Sequence, residues 1–166
     1  MKRFRTLAVW TLLATLLGLV SCSSVRETLN VETTAEIEFV TAEDINPDTD
    51  GRASPLVIRL FKLADSRQFQ LETFLTLYED AGNRLGKDLL DTIILKEFIP
   101  GETRIEQLKL TPDVRFIGLM AEYVQYDNAN SMLLLPIESH SKNRIRVHIE
   151  KLELLTAEQK KARERR

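Results

Sequence analysis

The order of apolar and polar residues divides the chain into short segments that alternate between the two classes. Residues 33–40 are the clearest case, with Ala35, Ile37 and Phe39 on one face and glutamates on the other. A period of two is typical of a strand with one buried face. Comparable segments lie between turn-forming residues at 56–63, 88–99, 103–110, 113–125, 132–137 and 145–155. The pattern predicts a mainly β fold, a β-sandwich of about seven to eight strands.

The period changes from two to nearly four after the second predicted strand. Phe69, Phe74, Leu75 and Tyr78 lie at helical spacings, with capping residues before them and a glycine after them. This pattern predicts a helical insertion over about 64–87. The aromatic stripe is either the side of a helix that packs on the sheet or a partner-binding face.

Residues 41–54 are the longest stretch of turn-forming chemistry in the chain. Pro47 and Asp50-Gly51 each mark a turn. A hairpin loop usually has about two to five residues, and longer loops in compact domains are often functional. Asp48 and Asp50 match half of an EF-hand calcium loop, but the glutamate that would close it is missing. We therefore expect a functional loop without a metal ion.

The first 21 residues have the layout of a secretory signal peptide. Lys2, Arg3 and Arg5 precede an apolar run over residues 7–20. A transmembrane helix needs about 20 apolar residues, so this run is too short to be a retained membrane anchor. We expect the segment to be removed from the mature protein.

The signal ends in Leu19-Val20-Ser21-Cys22, which resembles the lipobox of bacterial lipoproteins. The resemblance implies cleavage before Cys22 and lipid on its thiol. A disulfide is the alternative, but the chain has no second cysteine. Ser23 stands where an aspartate usually retains lipoproteins in the inner membrane, so it favours the outer membrane. The expected organisation is a signal peptide at 1–21, a lipidated tether at 22–31, a β-sandwich at 32–155 and a charged tail at 156–166.

The charge balance and the residue inventory limit the possible functions. Loss of residues 1–21 removes three basic side chains and no acidic one, which leaves a net charge of −5. Such a chain lacks the basic footprint of a nucleic-acid-binding protein. Lipidation leaves no thiol for a Cys-His pair, and His140 and His148 do not have zinc-ligand spacing. We predict a protein that is not an enzyme and has no cofactor, no metal and no small-molecule substrate.

A larger set of residues resembles the outer-membrane lipoproteins of type VI secretion systems, the TssJ or SciN-like family. The resemblance rests on Asn46-Pro47-Asp48, Asp50-Gly51-Arg52, residues 54–63, Phe69, residues 74–78, and matches at 85–89, 100–102 and 117–123. The chain departs from the family at Tyr123-Val124, where Tyr-Arg is common, and at Ser131-Met132, where Trp-Arg is frequent.

The resemblance implies a transthyretin-like β-sandwich with extra helical elements. It also implies that the protein anchors an envelope-spanning secretion complex to the outer membrane. The implied partner is the periplasmic C-terminal region of TssM, the IcmF-like inner-membrane subunit, and the loop between the first two strands is the contact site. We expect Asn46, Asp48, Asp50 and Arg52 to make polar contacts with this partner. The alternative is that the first three only build the turns of the loop.

Two other functional classes remain open at the level of the sequence. One is a lipoprotein of another envelope assembly, such as a scaffold or a pilotin-like chaperone. The other is a small ligand-binding or hydrolytic lipoprotein, which would be marked by a concave pocket with convergent polar groups.

Overall fold

Eight strands form two four-stranded sheets in the computed structural model, which describes residues 31–165. Cys22 lies outside the described residues. The strands are β1 (Thr33–Thr41), β2 (Ile58–Leu63), β3 (Leu89–Ile94), β4 (Thr103–Leu110), β5 (Phe116–Ala121), β6 (Met132–Pro136), β7 (Lys142–Glu150) and β8 (Glu153–Thr156). The α-helices of this part of the chain are α1 (Arg67–Leu71), α2 (Phe74–Leu85) and α3 (Ala157–Glu164). The prediction of a mainly β fold with a helical insertion after the second strand is confirmed.

The two sheets have the strand orders β4-β1-β7-β8 (sheet A) and β3-β2-β5-β6 (sheet B). Strand β1 pairs with β7 in parallel, and the other pairings are antiparallel. Parallel pairing brings Thr34 and Lys142, near the starts of β1 and β7, to the same end of sheet A. We call this the tether end, because β1 follows the N-terminal segment. The opposite end, where β1 leads into residues 42–57, is the loop end.

The main core lies between the two sheets, and alternation of buried and exposed residues is clearest in β1. In β1 every second residue is buried, including Ile37 and Phe39. These two residues pair in register with Ile145 and Val147 of β7. The period of two in the sequence therefore reports the buried face correctly.

A second core lies on the outer face of sheet B, beneath the helical insertion. Its buried members are Phe61, Leu63, Phe69, Leu77, Leu85 and Met120. Gly118 of β5 permits a close approach here, because a Cβ atom at this position would lie 2.6 Å from the ring of Phe69. Helices α1 and α2 are thus packed directly on the sheet.

Three predicted strands differ in extent from those in the structure. The segment 88–99 is a strand only over Leu89–Ile94, and the chain then leaves the sheet. The segment 113–125 is a strand only over Phe116–Ala121, because a turn precedes it and the following residues leave the sheet for the loop end. The segment 145–155 is two strands, because a turn at Lys151-Leu152 folds β8 back on β7.

The charged C-terminal segment is helical over α3. Thr156 caps the helix, and it packs against β7 and β8. Lys160 forms an ion pair with Glu150 at 2.6 Å, and Arg163 forms one with Glu153. These contacts fix the helix to sheet A. None of the helices within residues 31–165 has the length and apolar character needed to cross a membrane.

Candidate functional site

Residues 41–54 leave β1 at the loop end and are fixed to the sandwich at several points. Ile45 is fully buried in the main core. The hydroxyl of Thr41 lies 3.0 Å from the carbonyl oxygen of Ile99 and 2.7 Å from that of Glu102, and its single proton is donated to one or shared between the two. The middle of the loop is therefore attached to the core and does not extend freely into solvent.

Asn46 is the internal brace of this loop. The residue is 3% exposed and has a φ of 47°, in the left-handed region that asparagine tolerates better than most residues. Its Nδ2 donates to the carbonyl of Pro55 at 2.7 Å, and its Oδ1 accepts from the N–H of Val124 at 2.8 Å. Both ends of the amide are occupied within the protein. Asn46 therefore builds the loop, as the alternative interpretation of the sequence has it, and its contact with a partner stays a prediction.

Asp48 organises the turn at the tip of the loop. Its carboxylate accepts from the backbone N–H groups of Asp50 and Arg52, each at 2.9 Å, and from Nε of Arg52 at 3.0 Å. Gly51 closes the turn with a φ of 79° and an N–H that donates to the Asp48 carbonyl at 3.0 Å. The hydrogen bond from the Arg52 backbone is the main cause that holds the pKa of Asp48 below its usual value.

Asp50 and Arg52 are the exposed side chains of this tip. Their side chains are 70% and 75% exposed, and Nη2 of Arg52 donates to Oδ2 of Asp50 at 3.1 Å. An exposed ion pair contributes only about 0–1 kcal/mol, so both groups can exchange partners at small cost. Of the four predicted contact residues, these two present their charges to solvent.

A second segment at the loop end, residues 122–130, lies against the loop and was missed as a site at the level of the sequence. Gln125 donates from Nε2 to the carbonyl of Pro47 at 3.1 Å. Val124, the departure from the family pattern, is exposed beside Asn46. These contacts join positions 78 residues apart, so no local pattern in the sequence announces them.

A stacked column of side chains connects this segment to α2. Phe74 stacks on Tyr126 with ring centroids 5.2 Å apart and on Tyr78 at 5.6 Å. The guanidinium of Arg59 lies 4.6 Å from the centre of the Tyr78 ring and is paired with Glu122 at 2.5 Å. Part of the predicted aromatic stripe thus stays at the surface, close to the loop end.

The described residues also bear on metal and histidine chemistry. Among residues 31–165, no group of three or more His, Cys, Asp or Glu side chains is placed to hold a metal ion. His148 is half-buried, and its Nδ1 is buried without a hydrogen-bond partner in the described part of the chain. His148 is half-buried because α3 packs on β7, the strand that carries it. This burial is the main cause that lowers the pKa of His148.

Comparison with known proteins gives a family match. The model of the type VI secretion lipoproteins (T6SS-SciN; VasD, EvfM, TssJ) matches residues 33–152. The solved T6SS lipoprotein TssJ1 from Pseudomonas aeruginosa is 25% identical with a TM-score of 0.71, over 76% of this chain and 95% of that chain. No curated protein sequence matches the chain.

Two further solved structures share the fold. Serratia marcescens Lip, a membrane-bound component of the type VI secretion system, is 23% identical with a TM-score of 0.70, over 76% of this chain and 97% of that chain. A chain in the structure described as "T6SS protein TssM C-terminal domain (869-1107) from EAEC" is 17% identical with a TM-score of 0.63, over 75% of this chain and 97% of that chain.

Proposed function

We propose that this chain, which belongs to the type VI secretion lipoprotein family, tethers the secretion membrane complex to the outer membrane. In this proposal it is anchored by lipid on Cys22 and faces the periplasm. Its loop end binds the periplasmic C-terminal region of TssM, the IcmF-like inner-membrane subunit. The proposal assigns the chain a binding role, with no catalytic step, cofactor or small-molecule substrate.

The anchor rests on the sequence around Cys22. Each acyl chain gains about 0.8 kcal/mol per buried methylene, and one chain alone binds a membrane only marginally. A cysteine that carries three chains would hold the protein on the membrane permanently. Ser23 favours the outer membrane over the inner. Cys22→Ser is therefore expected to abolish the incorporation of radiolabelled palmitate, and labelling of the variant would remove the anchor from the proposal.

The observation that carries the binding role is the preset turn at the tip of the 41–54 loop. Asp48 fixes the backbone of the turn, while Asp50 and Arg52 project their charges outward. A loop that is ordered before binding loses little conformational entropy when it docks. Arginine is also enriched among the residues that dominate binding energy at protein interfaces. A chain with this fold occurs in a solved structure whose description names the TssM C-terminal domain, and this supports TssM as the partner.

A matched pair of double variants tests this role. Asp50→Ala with Arg52→Ala removes the exposed charges of the tip and leaves Asp48 and the core contacts of the loop in place. Asp65→Ala with Arg67→Ala removes another Asp–Arg pair with the same spacing, 2.9 Å apart and outside the loop, in which Arg67 is exposed and Asp65 is half-buried. We expect the first variant to capture the periplasmic region of TssM at least about tenfold more weakly, and the second to match wild type. Undiminished capture by the first variant would remove the loop tip from the mechanism.

A further inference from the structure

A basic depression lies on the outer face of sheet A at the tether end. It has a volume of about 380 Å³, its rim carries Lys109, Lys142 and Arg144, and Glu36 is the one acidic residue in its lining. The strand register explains the grouping, because Thr34 of β1 pairs with Lys109 on one side and with Lys142 on the other. Three cationic side chains from two strands thus surround one shallow site.

These cations are only weakly neutralised by the protein. The nearest carboxylates are Glu32, 3.9 Å from Lys109, and Glu36, 4.0 Å from Arg144. Lys109 and Arg144 are 85% and 78% exposed, and ion pairs of this length and exposure contribute little. Within residues 31–165, no carboxylate lies within 4 Å of the Lys142 ammonium group. The rim therefore keeps a net positive charge in a chain that is acidic once residues 1–21 are removed.

The position of the depression along the chain indicates what it faces. Eleven residues lead from Cys22 to Thr33, the first residue of β1. An extended chain advances at most about 3.6 Å per residue, so β1 starts no farther than about 40 Å from the lipid. The attraction between basic side chains and an anionic membrane falls off within about one Debye length, roughly 8 Å at physiological salt, so only direct contact is effective.

We infer that Lys109, Lys142 and Arg144 form a contact site for the phosphate groups of anionic phospholipids in the membrane that holds the Cys22 lipid. The inference rests on the proposed lipid anchor. The contact would orient the domain with its tether end on the bilayer and its loop end toward the periplasm. Since β1 runs from one end to the other, the partner-binding tip would then project away from the membrane.

The test uses the full lipidated chain in vesicles. With Cys22 lipidated, a cysteine introduced at Thr111, near the tether end, is the only free thiol and accepts a fluorophore. A nitroxide on the lipid headgroup quenches the fluorophore when the two are in contact. We expect quenching in phosphatidylcholine vesicles that contain phosphatidylglycerol, and at least about fivefold less in phosphatidylcholine alone. The same label at Thr49, in the loop, should not be quenched in either.

Two charge-reversal variants make the test specific. Lys109→Glu, Lys142→Glu and Arg144→Glu together should reduce quenching to the level in neutral vesicles. The control reverses three exposed lysines away from the depression, Lys96→Glu, Lys151→Glu and Lys161→Glu, and should retain it. The triple glutamine variant of the same rim, which removes charge without adding repulsion, should also lose most of the quenching. Thermal unfolding of each variant reports whether it is folded.

Several outcomes would overturn the inference. Equal quenching in neutral and anionic vesicles, or full quenching of the folded rim variants, would show that the rim does not contact anionic lipid. Binding of inorganic phosphate at the rim, with no quenching in anionic vesicles in its absence, would assign the site to a free anion. If the protein floats with the vesicles but its fluorophore is not quenched, this inference alone is contradicted. Failure of the protein to float contradicts the lipid anchor as well.

Discussion

At the scale of single residues, Asn46 combines a rare backbone conformation with two hydrogen bonds to distant segments. Asn46→Ala leaves the N–H of Val124 and the carbonyl of Pro55 without their partners, and alanine tolerates a φ of 47° less well than asparagine does. We expect a loss of about 2–4 kcal/mol in the free energy of unfolding, measured by urea denaturation. Asn46→Gly loses the same hydrogen bonds but tolerates the backbone, so it should be about 1 kcal/mol more stable than the alanine variant. Equal stability of both variants would contradict the strain argument.

His148 makes stability depend on pH near neutrality. Burial is the main cause that lowers its pKa in the folded state, and the nearby positive charge of Lys160 adds to it, against Glu150. Its register neighbours Val40 and Leu155 provide no charge. The unfolded chain therefore binds the proton more readily below about pH 6.5, so the free energy of unfolding should fall as pH drops from 7 toward 5.

His148→Gln tests this dependence, because glutamine keeps a polar side chain that does not titrate. We expect the free energy of unfolding of the variant to change less than that of wild type between pH 7 and pH 5 in urea titrations. Parallel pH profiles for the two proteins would show that His148 does not titrate differently in the folded and unfolded states.

The same residues show what the sequence can and cannot predict. Asn-Pro and Asp-Gly identify the 41–54 segment as turns, because those side chains have local conformational preferences. Local preference does not reveal that Asn46 points inward and Arg52 outward. That difference depends on Val124, a residue 78 positions away, which becomes a neighbour only after folding.

At the scale of elements, the helical insertion depends on one close approach. Gly118→Ala would place a Cβ 2.6 Å from the ring of Phe69 in the second core, so ring and helix must shift. Overpacking of this kind costs about 1–3 kcal/mol in the free energy of unfolding. Gly82→Ala in α2 is the matched control, because its Cβ meets nothing within 4 Å. It should stabilise the protein by about 0.5–1 kcal/mol in the same denaturation experiment.

Periodicity predicted individual elements well where burial was one-sided. Strand β1 has one face in the core and one in solvent, so its alternation could be interpreted directly. The boundary between β7 and β8 was missed, since apolar residues continue through the turn at Lys151-Leu152. Helix α3 has no buried residue, so its ion pairs with Glu150 and Glu153 could not be inferred from an apolar pattern.

At the scale of the whole molecule, sheet topology separates the two proposed surfaces. The parallel pairing of β1 with β7 collects Lys109, Lys142 and Arg144 around the start of β1, whereas the 41–54 loop leaves its other end. Sequence spacing alone does not show this arrangement, because the three cations belong to strands whose pairing is set by the fold. A tether needs two separate attachment points, and the two proposed surfaces lie at opposite ends of the sandwich.

This separation predicts that the two surfaces act independently. From Thr34 to Thr41, β1 advances about 3.3 Å per residue, which gives roughly 23 Å between the basic rim and the base of the loop. Screening at physiological salt acts over about 8 Å, so charge changes at one end should not reach the other. The reversal of Lys109, Lys142 and Arg144 should therefore leave TssM capture unchanged, and the double variant at Asp50 and Arg52 should leave headgroup quenching unchanged.

A variant that combines the reversal of Lys109, Lys142 and Arg144 with Asp50→Ala and Arg52→Ala completes a double-mutant cycle between the two ends. We expect its free energy of TssM binding to equal that of the double variant within about 0.3–0.5 kcal/mol, the usual limit of additivity for distant sites. Binding titrations on anionic vesicles provide this measurement, with the wild-type protein in parallel. A larger deviation in the combined variant alone would mean that contact with the membrane alters the loop through the sandwich, and the two ends would then have to be treated as one coupled site.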